Sequence, residues 1–159
     1  MTTNDLKALG YEIIDGKAVR LAKKENKVTE KPLIAKSDII FNIHPLPKIR
    51  MVKSDAWKKR PAVLKYWKYK EELLRQATAV NFTLPDTFEA SFIIPMPPTW
   101  SKKKMATMDG KPHQQRPDVD NLVKALMDCL KKEDSSVYKI LISKYWGKDG
   151  KIIVGNMVG

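Results

Sequence analysis

The clearest periodic stretch of the chain runs from Val119 to Leu130. Val119, Leu122, Val123, Leu126 and Leu130 recur at helical spacing and form one apolar stripe. Asp120, Lys124 and Asp128 follow one another four residues apart and share the opposite face. Pro117 bars a helix from running in from upstream, because it lacks an N–H and restricts the residue before it. Asp118 or Asp120 then serves as the N-cap. The pattern predicts an amphipathic helix that displays carboxylates and an ammonium group at its start.

Elsewhere the period shortens. Asp38–His44 and Phe88–Pro95 read as strands, and prolines stop each of them. Val137–Trp146 and Lys151–Gly155 are two more, paired across the turn Gly147-Lys-Asp-Gly150. Trp57–Val80 has helix character with Pro61 near its first turn. Leu64, Trp67 and Leu74, with Tyr66 and Tyr69, form its expected buried side. Trp100–Lys111 reads as a long loop containing an Asp-Gly turn. At the N-terminus, Tyr11–Leu21 reads as a hairpin around Asp15-Gly16, and Ala22–Lys36 as a charged linker with little to bury. The expected fold class is α+β (mixed α/β), a small sheet with helices packed on it. One domain is expected over residues 38–159, behind an N-terminal extension of residues 1–37 whose purpose stays open.

Charge changes the picture of what this domain meets. Thirty basic residues against 18 acidic ones leave a formal charge of +12. Such a balance favours a polyanion, with nucleic acid first and an anionic membrane surface second. No apolar run approaches the ~20 residues of a membrane span. Residues 1–12 contain no apolar signal-peptide core. The single cysteine, Cys129, allows no internal disulfide, which suits a reducing cytosol, and Cys129, His44 and His113 lack zinc-ligand spacing. Basic residues concentrate in two places. Leu46–Gln76 carries ten Lys/Arg against three Asp/Glu, with Lys48, Arg50, Lys53, Lys58, Lys59 and Arg60 before or at the helix start. Lys102, Lys103 and Lys104 follow Trp100, and basic residues with an aromatic neighbour suit unstacked or bent DNA. The plain alternatives are a solvated basic face and a flexible surface loop.

The acidic residues supply candidate chemistry. Asp134 stands between the helix and the next strand, and a helix folded back on that strand would return it towards Asp118 and Asp120. Mg2+ takes oxygen ligands and keeps several waters, so two or three aspartates suffice. The ion would activate a water and polarise a phosphodiester. Lys124 would neutralise charge building up in the transition state. Each residue also has an ordinary reading. Asp118 could be a helix cap, Asp120 and Lys124 a surface ion pair, and Asp128 a solvated helix-face residue.

Three motifs stand in order along the chain: Pro45-Leu-Pro-Lys-Ile-Arg50, Pro95-Met-Pro-Pro-Thr-Trp-Ser-Lys-Lys-Lys104, and chiefly Arg116-Pro-Asp-Val-Asp-Asn-Leu-Val-Lys-Ala-Leu-Met-Asp128. On these, from Ile39 onward, the chain resembles the RusA-type Holliday-junction resolvases of bacteria and their phages. Glu133-Asp-Ser-Ser-Val137 resembles the family's Asp-Asp-x-x-Val element, with Glu133 in place of the first aspartate. The resemblance implies that Asp118, Asp120 and Asp134 bind metal and that Lys124 is the catalytic lysine. It implies Mg2+ as cofactor, a phage or prophage origin, and a homodimer acting on branched DNA in the cytoplasm of a bacterial host. The expected DNA-facing residues are Lys48, Arg50, Lys102, Lys103, Lys104, Arg116 and Lys144. Two-fold symmetry of a four-way junction gives the dimer a physical reason. The rival readings are a nuclease for flaps or forks and a non-catalytic DNA-binding protein.

Overall fold

A computed structural model describes residues 11–15, 17–20, 38–56 and 60–157. The linker expected over 22–36 and the lysines Lys58 and Lys59 lie outside the described residues. Strands β1 (Tyr11–Ile14) and β2 (Lys17–Arg20) pair antiparallel, as the Asp-Gly signal predicts. Asp15 takes a left-handed φ of 52°, which a short-side-chain Asp tolerates in a tight turn.

The main body is a four-stranded mixed sheet carrying helices, an α+β architecture. Strand β3 covers only Ile39–Phe41, shorter than the apolar run suggests. Helix α1 spans Pro61–Ala79, and its first residue is proline, which needs no N–H partner there. Strand β4 (Thr87–Pro95) follows, then helix α2 (Lys102–Met108) and helix α3 (Val119–Leu130). Strands β5 (Lys139–Gly147) and β6 (Lys151–Gly155) follow, but they do not pair with each other across the Gly147–Gly150 turn as the sequence pattern predicts, because β4 lies between them and takes a hydrogen-bonded edge of each. The sheet order is β3-β6-β4-β5. β4 and β5 run parallel from Thr87↔Lys139 to Pro95↔Gly147, and β6 is antiparallel to both β4 and β3. A parallel pair needs a crossover. Here residues 96–138 supply it, and they carry both α2 and α3.

Phe41, Phe88, Phe92, Ile152 and Val154 of the sheet meet Leu73 of α1 and Leu122 and Leu126 of α3 in one core, each with 1% exposure or less. Two further expectations need correction. The buried stripe of α1 is Val63, Tyr66, Tyr69, Leu73 and Ala77, whereas Leu64, Trp67 and Leu74 are exposed. Both stripes have helical spacing. The outer one is interleaved with Lys68, Glu71 and Arg75, so burying it would bury charges. The stretch after Trp100 is also not an open loop, because Lys102–Met108 is helical. The Ser101 hydroxyl caps it, accepting from the Lys104 N–H at 3.2 Å. Gly110, at φ 76°, ends the excursion in a conformation that suits glycine. Among the described residues no helix is long and apolar enough to cross a membrane.

Candidate active site

The site is assembled where α3 begins. Its apolar face, Leu122, Val123, Ala125, Leu126 and Cys129, is buried, and this fixes the polar face outward. Asp118 takes the N-cap backbone conformation (φ −71°, ψ 144°), but its side chain makes no capping hydrogen bond. Its carboxylate is therefore open to a ligand. Asp120, in the first turn, lies 3.5 Å from the Lys124 ammonium, and both side chains are more than half exposed. An exposed pair of this kind contributes only about 0.3–0.5 kcal/mol, too little to hold Asp120 against a stronger partner.

The approach to Asp118 is built on β5. Pro112 bridges to Tyr145, and backbone hydrogen bonds join Gly110 N–H to the Trp146 carbonyl (2.9 Å) and His113 N–H to the Lys144 carbonyl (3.1 Å). The chain then leaves the strand edge, passes through a cis Arg116–Pro117 peptide and enters α3. The Lys144 ammonium reaches up from β5 and donates to the carbonyls of Gln115 and Pro117, the latter at 2.7 Å.

Two open clefts meet at Arg116 and Asp118. One, of about 720 Å³, is lined by Gln115, Arg116, Asp118, Asp120 and Lys144 among others. The second, of about 540 Å³, lies between these residues and the segment carrying Pro47 and Lys48. Lys48 is tied to α3 twice. Its N–H donates to the Asn121 carbonyl at 3.0 Å, and its ammonium is 3.7 Å from Asp128. Asp128 is a structural helix-face residue and not a freely solvated one, because it also accepts a 2.8 Å hydrogen bond from the Tyr66 hydroxyl on α1. Burial, reinforced by that carboxylate, pushes the Tyr66 phenol well above the ordinary tyrosine range.

The expected cations divide into two groups. Lys48, Arg50 and Arg116 are exposed around the second cleft or on the segment leading from it. Lys102, Lys103 and Lys104 are exposed on α2. Lys104 sits 4.3 Å over the Trp100 ring, which contacts Trp146 (4.8 Å), which contacts His113 (4.2 Å). An aromatic row thus supports the basic helix and ends beside the approach loop. His113 is 3% exposed, and its Nδ1 has no partner. Burial, and then the Lys144 charge, lower its pKa and keep it neutral at pH 7. Arg60 is engaged elsewhere: it grips Asp55 through two hydrogen bonds of 2.6 and 2.7 Å.

Asp134 is not brought to Asp118 and Asp120. It opens a 3-10 turn beyond the C-terminus of α3. A helix of 12 residues is about 18 Å long, so Asp134 stands at its opposite end. Asp86 pins that turn, accepting from Lys131 Nζ and from the Ser136 hydroxyl, both at 2.7 Å. Among the described residues no group of three or more His, Cys, Asp or Glu side chains is placed to hold a metal ion. Glu133 accepts from the Ser135 hydroxyl at 2.8 Å. The Tyr66–Asp128–Lys48 link is hard to see in sequence, because its members come from three distant segments. The only visible signal was the place of Asp128 on the Asp120/Lys124 face.

Open carboxylates among exposed cations, on a basic α+β domain, define a class: enzymes that act on the phosphodiester backbone of nucleic acids. The particular family follows. A family model described as endodeoxyribonuclease RusA matches residues 42–155, and the chain belongs to that family. The resemblance seen from Ile39 onward is borne out. No curated protein matches the chain.

Proposed function

We propose that the protein is a Mg2+-dependent endodeoxyribonuclease that resolves Holliday junctions as a homodimer in the bacterial cytoplasm. Membership of the RusA family carries the DNA-cleaving activity. The observation that carries the site is the pair of open carboxylates, Asp118 and Asp120, on one wall of a cleft shared with Arg116. Hard oxygen donors of this kind suit Mg2+, which keeps waters in its remaining positions. When bound, the ion supplies an acidified water and polarisation of the phosphodiester. Asp118 and Asp120 bind and orient. Lys124, already beside Asp120, neutralises charge gathering on the attacked phosphate. Lys48, Arg50, Arg116 and Lys102–Lys104 hold the backbone on either side.

Asp134 enters this reading as a ligand delivered by the second subunit. The length of α3 and the clamp on Asp86 favour that over a ligand from the same chain. A two-fold dimer then has two sites, matching the two strands of like polarity to be nicked.

The test is a labelled synthetic four-way junction incubated with Mg2+ or EDTA, beside linear duplex and flap controls. Paired symmetric nicks in the junction, with Mg2+ only, are expected. Asp120→Asn should bind the junction and fail to nick it. Full cleavage by that variant overturns the metal assignment. Preference for flaps would make the protein a different structure-specific nuclease, and binding without nicks a DNA-binding protein.

A further inference from the structure

The Lys144 ammonium lies in the wall of the first cleft and turns onto the approach loop. It is half-buried under the approach loop, where it donates to the carbonyls of Gln115 and Pro117. These carbonyls stand three residues and one residue before Asp118. The loop is otherwise fixed at its ends: by His113 N–H on the Lys144 carbonyl (3.1 Å) and by the first helical bond of α3, Leu122 N–H to the Asp118 carbonyl (3.2 Å). One residue of β5 thus holds the loop twice, through its main chain at His113 and through its side chain next to Asp118. Because the Asp118 carboxylate has no capping bond of its own, its place in the cleft is set by this backbone.

From this arrangement we infer that Lys144 is a positioning residue, which presents Asp118 and Asp120 to the bound cation, and is not a phosphate contact. The inference deepens the proposed function and rests on it for the identity of the cation. An ammonium has three donors. Two are engaged here, and moving the head to a phosphate would break both bonds and release the loop. A lysine suits the task because its charge strengthens each bond to a carbonyl. Residues on the two sides of Lys144 keep it in place. The tilted rings of His113 and Trp146 pack with centroids 4.2 Å apart beside it, and Ser143 on the opposite face of β5 is joined to Ser91 at 3.0 Å.

The experiment compares the full-length protein with Lys144→Met, Lys144→Arg and, as a control for lost charge, Lys148→Met in the exposed β5–β6 turn. Three quantities are read. Amide hydrogen exchange over residues 114–121, without metal or DNA, should accelerate on the order of tenfold in Lys144→Met, because a local anchor is gone. The salt slope of junction binding should match that of wild type, whereas loss of a phosphate contact lowers it by about one unit. Nicking at limiting Mg2+ should fall on the order of a hundredfold, the effect of displacing a catalytic group by about 1 Å, and higher Mg2+ should restore part of it. Arginine, which can also donate to two carbonyls, should recover most of the exchange protection and rate. Lys148→Met should leave exchange and Mg2+ dependence as in wild type.

Unchanged exchange over 114–121 in Lys144→Met overturns the inference, as does a slope reduced by one with unchanged Mg2+ dependence. Failure of wild type to nick any DNA overturns the proposed function instead, and the exchange arm still decides what Lys144 does.

Discussion

If Asp134 completes the site of the other subunit, two inactive variants should rescue each other. Chains carrying Asp120→Asn and chains carrying Asp134→Asn would each form dead dimers. The geometry makes the distinction sharp. Oxygen ligands sit about 2.0–2.1 Å from Mg2+, so carboxylates sharing an ion lie within about 4 Å of one another. A helix of about 18 Å separates Asp118 from Asp134 within one chain, and the turn bearing Asp134 is pinned by Lys131 and Ser136 on Asp86. Unfolded together and refolded in equal amounts, the two chains should give about half heterodimers by random pairing. Each heterodimer has one site with both lesions and one with neither. The mixture should therefore hold about a quarter of the wild-type number of intact sites. The assay counts nicks in a junction labelled on each strand in turn. Single nicks at about a quarter of the wild-type initial rate are expected, with few paired cuts. If Asp134 served its own subunit, every site would carry a lesion. No activity above that of either parent, from a mixture shown to contain heterodimer, refutes the reasoning.

Tyr66→Phe removes one hydrogen bond to Asp128 without opening a cavity. It should lower unfolding free energy by about 1.5 kcal/mol, a value at the low end for a charged acceptor because Asp128 is partly exposed. Urea denaturation reads this, and no loss, or a gain, would mean the bond contributes nothing. The same variant should flatten the fall of stability at alkaline pH. The folded pKa of Tyr66 is raised, so the unfolded chain ionises first and stability drops as pH climbs above about 10. His113 has the opposite sign. Its folded pKa is lowered, so stability present above about pH 6.5 is lost as the pH falls below that value. Urea midpoints at pH 8 and pH 5.5 should differ less for His113→Phe than for wild type. His44, lowered by burial and then by Lys65, leaves some slope behind. An unchanged difference would show that His113 takes no part.

The elements written in one period were legible. The stripe of α3 and the run of β4 appear where the sequence pattern predicts them, and the turn signal does separate β5 from β6, but β4 lies between those two strands, so no hairpin forms. What escaped was competition between patterns. On α1 two stripes share helical spacing, and only the charges of Lys68, Glu71 and Arg75 beside the outer one decide which turns inward. After Trp100, three lysines in a row suggested a loop, yet lysine, methionine and alanine are good helix formers and Ser101 supplies the cap. In the site, the proximity of Asp118 and Asp120 followed from sequence, since they share a helix start. The distance of Asp134 did not, because a short connection says that α3 and β5 are neighbours, not which end of one meets which end of the other.

The cations illustrate why net charge alone could not assign roles. Arg60 is engaged by Asp55, Lys131 by Asp86 and the Leu84 carbonyl, and Lys144 by two carbonyls of the approach loop. These hold turns in place and have little freedom to follow a phosphate. Lys48 and Lys104 are held loosely, by a 3.7 Å ion pair and by an aromatic face, and so keep their charge available at the surface. Binding and cleavage should therefore separate under mutation. Removing loosely held cations weakens the grip on DNA and its salt dependence, one counterion at a time. Removing firmly held ones should leave that slope alone and loosen the turn that each of them holds. The +12 balance favours a polyanion partner, and the hydrogen-bond partner of each cation separates those held in place from those free to meet one.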